Sequence, residues 1–117
     1  MDKLQAEKQE ALQVLGEYLE KLIPNMKTLI GELKGDRQPD TDDFQKQCID
    51  VLNWVIEIYN RISDVIAVEK IHMTKQDFNQ NLGKLGEAIK NKEDAKIAEV
   101  LETAVIPFLT DLKEAVK

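Results

Sequence analysis

Two side chains have the chemistry for nucleophilic catalysis, Cys48 and His72, and each is the only residue of its kind in the chain. A thiol–imidazole pair works when an accessible thiolate lies beside its base. The surroundings predict otherwise. Cys48 opens the apolar run CIDVLNWVIEIYNRISDVI, residues 48–66, where a cysteine behaves as a small hydrophobe. His72, between Ile71 and Met73, reads as a partly exposed residue of a connection. Two such side chains are too few for a four-ligand zinc site, and the Glu-x-x-His pairs of di-metal bundles do not occur.

Oxygen ligands fare no better. Asp36, Gln38, Asp40 and Asp42 alternate as the first ligands of a calcium loop do. Thr41 stands where the turn glycine belongs, Gln47 replaces the bidentate glutamate and Pro39 stiffens the middle. Helix capping and solvation account for these carboxylates. Gly83 and Gly86 give only G-x-x-G within a helical stripe, without the strand that precedes a phosphate-binding loop. Glu17 with Glu20, and Glu99 with Glu102, fall on polar helix faces as solvated charge. No catalytic residue, cofactor or metal is assigned, and a non-enzymatic protein is expected.

Composition points to partners that carry no phosphate. The net charge is −6, and the imbalance sits in residues 35–66, with seven acidic and three basic side chains. No face gathers Lys and Arg, so neither nucleic acid nor an anionic membrane is expected as a partner. The longest apolar run, Val65–Val68, is far short of the roughly 18 residues of a membrane span. The opening MDKLQAEKQE lacks the basic and apolar regions of a secretory signal. A single cysteine forms no internal disulfide. A cytoplasmic setting follows as the expectation.

What positions these residues is helical throughout. The length of 117 residues predicts one domain over 1–117. Around residues 48–66 the 3.6-residue period sets Phe44, Cys48, Val51, Val55, Ile58, Ile62 and Ile66 in one seam, with an apolar arc of roughly 220°. So wide an arc needs neighbours on more than one side, which predicts this helix at the centre of a bundle. Residues 2–34 predict a first helix with a heptad seam of Leu12, Leu15, Leu19, Leu22, Met26, Leu29 and Leu33. Its phase passes through Pro24, so a kink rather than a break is expected. Gly35 ends that helix and Asp40 or Thr41 caps the next. Thr74, with Asp77 three residues on, caps a third helix over 75–90, which Gly83 and Gly86 weaken. A last helix is predicted to begin at Asn91, with Ile97, Leu101, Ala104, Val105, Phe108, Leu112 and Val116 inward and Pro107 as a second kink.

The expectation is an all-α, up-down-up-down four-helix bundle with proline-kinked first and last helices. Function is then sought on the surface. Trp54 lies at the edge of the apolar arc near Ile58 and beside Arg61, a combination enriched in interface hot spots. Ile106 falls about 180° from Ile97, on the polar side of the last helix. These four are the candidate protein-contact residues, for a protein partner or for self-association as a homodimer. A second expectation is a small-ligand pocket between the helices that carry Pro24 and Pro107.

Overall fold

A computed structural model of the chain describes residues 3–62 and 68–116. It is an all-α four-helix bundle. The first helix, α1 (Lys3–Leu33), runs unbroken through Pro24. It is followed by α2 (Thr41–Ile62), a 3-10 turn (Val68–Lys70) and α3 (Lys75–Lys90). The fourth rod is made of α4 (Asp94–Val100), a π-helical turn (Leu101–Val105) and α5 (Ile106–Ala115), continuous through right-handed helical residues at both joints. Ile66 of the expected central seam lies outside the described residues.

Directions follow from contacts at the ends. At the end where α1 passes into α2, Arg37 donates from Nε (2.9 Å) and Nη2 (3.2 Å) to Asp94 and from Nη1 (2.9 Å) to Asp42, tying the first loop to the start of α4. Lys34 also pairs with Glu102 there. At the other end Lys75, first in α3, places its ammonium 5.3 Å from the Tyr59 ring centre. The helices therefore run up, down, up, down. Val116 approaches Gly16, so α1 reaches past the end of the fourth rod toward its own N-terminus.

The position at the centre falls to α1 rather than to α2. It packs against α2, α4, the π turn and α5, and Leu15, Leu19, Met26 and Leu29 are wholly buried. The reason lies in α1's length and in its two adjacent apolar stripes, the heptad seam and the Ile23–Ile30 flank. The buried stripe of α2 is correspondingly Cys48, Leu52, Val55, Tyr59 and Ile62. That is a rotation of roughly 35° from the expected seam at 100° per residue. Phe44, Val51 and Ile58 are left half-buried.

Local rules placed most boundaries. The Asp77 amide donates to Thr74 Oγ1 at 3.0 Å, the expected cap. Thr41 is the exception to simple capping. Wholly buried, its hydroxyl donates to Glu32 Oε1 (2.7 Å) and accepts from the Gln38 amide (2.7 Å), so it locks the loop between α1 and α2. The last helix does not begin at Asn91. Asn91 closes α3, and Lys92 adopts φ 55°, the left-handed turn that lets the chain reverse into α4.

The two prolines are accommodated differently. Before Pro107 the Ile106 amide donates to the Leu101 carbonyl, five residues back, giving the one-residue expansion of a π turn. That extra residue takes back about 100° of phase. It moves Ile106 from the polar side to the flank of the core, against which it packs half-buried. Phe108, on the inner face as expected, is fully buried, stacked on Phe78 (centroids 3.8 Å) and edge-on to Tyr59 (5.4 Å).

Candidate protein-contact surface

The rotation of α2 decides what reaches solvent. Trp54, Val51 and Ile58 occupy the flank that α1 only partly covers. The Trp54 ring lies 4.8 Å from the Tyr18 ring, tilted by 49°. Tyr18 is 45% exposed and Val14, one turn before it on α1, is 38% exposed. On a helix, residues three and four apart share a face. The stripe that carries Val14 and Tyr18 therefore runs Glu7, Ala11, Val14, Tyr18, Lys21, Asn25, in steps of four and three.

Two hollows bracket the aromatic pair along the α1–α2 seam. One, of about 310 Å³, is lined by Glu7, Lys8 and Ala11 of α1 and by Ile58, Arg61 and Ile62 of α2. The other, of about 180 Å³, is lined by Tyr18, Lys21, Leu22 and Asn25 with Phe44, Gln47, Val51 and, at its floor, the buried Cys48. Trp54, Ile58 and Arg61 thus belong to one face. Ile106 does not line either hollow and sits on the fourth rod. Val14 and Tyr18 escaped the reading of the sequence, although the 4-3-4-3-4 spacing from Glu7 to Asn25 was there to find them.

The residues singled out for chemistry are dispersed. Cys48 is 3% exposed, and burial, with the Glu32 carboxylate as a smaller cause, pushes its thiol up to about 11. His72 lines a shallow cleft of about 440 Å³ with Met73, Asp77, Asn81, Pro107 and Asp111. Asp111 accepts from the His72 backbone amide (3.2 Å) and from ring Nδ1 (3.0 Å). A carboxylate that orients an imidazole is one part of a nucleophilic triad. Cys48 does not line that cleft. Among the described residues no group of three His, Cys, Asp or Glu side chains is placed to hold a metal ion. Pro24 is exposed and does not line the cleft at Pro107. Leu19, Leu22 and Met26 of α1 and Val105 and Leu109 of the fourth rod are all buried in one core cluster.

The fold and this surface define a helical bundle with one apolar strip on its α1–α2 side. The chain belongs to the DUF8042 family, a domain of unknown function, whose family model matches residues 10–115. No curated protein and no solved structure matches it. No helix among the described residues is long and apolar enough to cross a membrane.

Proposed function

We propose that this protein acts non-enzymatically, through protein contact on the α1–α2 face, as an adaptor, a chaperone-like binder or a self-associating subunit. One observation carries the reading: the large apolar side chains most open to solvent among the described residues, Val14 and Tyr18, share one stripe and continue into Trp54 and Ile58 across the seam. Scattered exposed apolar residues need no explanation, whereas a contiguous strip marks a contact surface. Aromatic residues with a nearby arginine are the types that dominate binding energy at such surfaces. The buried, unpaired Cys48 fits a reducing compartment, and the cytoplasm belongs to the same proposal.

The test is a Tyr18→Asp variant. Tyr18 is half exposed, so the fold and its melting temperature are expected to be retained. Wild-type protein is expected to associate, with itself in light scattering or with a partner in capture from its native host, and the variant to lose that association. A wild type that stays monomeric and retains no partner through Tyr18 would overturn the reading.

A further inference from the structure

We infer that the occupant of this face is a second copy of the chain, packed antiparallel about a two-fold axis at Val14; the inference rests on the protein-contact reading above and names its partner. The stripe on α1 is a heptad seam in its own right, with apolar Ala11, Val14 and Tyr18 at the middle and charge at the ends. Glu7 stands seven residues before Val14 and Lys21 seven after it, both exposed and both lining the hollows of this face.

An antiparallel pair with Val14 on the axis sets Glu7 of each copy opposite Lys21 of the other. Two ion pairs then close the ends of an apolar centre. The flanking helix obeys the same axis. Trp54 sits beside Tyr18, and Ile58 and Arg61 sit beside Glu7 and Ala11, so the level of Val14 falls between Trp54 and Arg61 on α2. Antiparallel stacking there brings Glu57, one turn before Arg61, toward Arg61 of the second copy. No ion pair among the described residues engages Glu7, Lys21, Glu57 or Arg61. A two-fold interface must be self-complementary, and one axis satisfies both charge pairs together.

A surface evolved for an unrelated partner has no reason to be palindromic in charge. Charge arrangement across an interface sets register and suppresses wrong pairings, so reversal of the charges tests the geometry as well as the association. Light scattering at tens of micromolar is expected to give twice the chain mass of 13.4 kDa. Glu7→Lys alone and Lys21→Glu alone are each expected to give monomer, because each sets like charges opposite one another. An equimolar mixture of the two is expected to restore the dimer, since every pair in the mixed species is again of opposite sign. Val14→Cys is expected to form an intermolecular disulfide on oxidation while the wild type, with Cys48 buried, does not. All the altered side chains are exposed, and a thermal melt of each variant checks that it folds.

A dimer indifferent to both charge reversals, with no disulfide at position 14, would overturn the inference by placing the contact elsewhere. A wild-type monomer that retains a different protein through Tyr18 would overturn the second copy and leave the protein-contact reading standing. A wild-type monomer that retains none would overturn both.

Discussion

At the scale of single residues, the informative group is one that does no chemistry. The Cys48 thiol is buried against α1, and the loss of hydration that penalises its charged form raises it from an ordinary 9.0 to about 11. Iodoacetamide is therefore expected to label Cys48 slowly in the folded protein and rapidly after denaturation; fast native labelling would contradict the burial. The same shift has a consequence for stability. The unfolded chain releases this proton at lower pH than the folded one does, so the contribution of the neutral thiol is complete below pH 9 and is lost as pH rises toward 11. A Cys48→Ala variant is expected to show a shallower loss of stability across that window, measured by urea titration at fixed pH values. Tyr59, whose hydroxyl burial also raises, supplies alkaline sensitivity that the variant retains. Asp94 acts at the opposite limit. The hydrogen bonds from Arg37 hold its carboxyl below the ordinary range, so what this contact contributes is present above pH 4 and fades as acid protonates Asp94.

Among the elements, α3 is the one whose composition works against it. Gly83 and Gly86 are exposed, and a Cβ added at either would meet nothing within 4 Å. Glycine in a helix interior costs about 1 kcal/mol relative to alanine, and neither position offers a compensating close approach. Gly83→Ala and Gly86→Ala are each expected to stabilise the protein by roughly 0.5–1 kcal/mol, read from chemical denaturation with an unchanged m-value. Elements of this kind were legible in the sequence because they rest on local rules. The Thr74 cap, the span of α3 and the end of α1 near Gly35 all follow from the residues at those positions. What a single helical wheel leaves undetermined is phase. The π turn before Pro107 withdraws about 100° of rotation, so Ile106 lands on the flank of the core and not opposite Ile97. The strip on α2 is a second case. An arc of roughly 220° shows that a helix is broadly apolar without showing which part of the arc a neighbour covers. Only the lateral position of α1 decides that Leu52 and Tyr59 go under while Val51, Trp54 and Ile58 stay at the edge.

For the molecule as a whole, the arrangement is elongated, with principal extents of 51 × 26 × 20 Å, and α1 is the long axis. Toward its C-terminal end α1 is enclosed by α2, α4 and the π turn. On the N-terminal side of Gly16, where Val116 ends its contact with the fourth rod, it leans on the end of α2, and Ala11 and Leu12 are only half-buried. Protection against amide exchange is set by local cover and packing. Amides of residues 6–14 are therefore expected to exchange faster than those of residues 19–33 in the isolated chain, and the gap to narrow at concentrations where the α1–α2 face is occupied. Uniform protection along α1 at low concentration would contradict the exposed end. The central place of α1 also has a consequence for how the protein is made. Residues that seal its inner seam, such as Val105 and Leu109, are added about eighty residues later, which at 5–20 residues per second is roughly 4–16 s of synthesis. During that interval the inner seam of α1 lacks the cover of the fourth rod, and Glu17, Glu20 and Lys27 on its outer faces are charges of the kind that guard apolar segments against aggregation. The helix most enclosed in the finished protein is thus the one that waits longest, on the ribosome, for its cover.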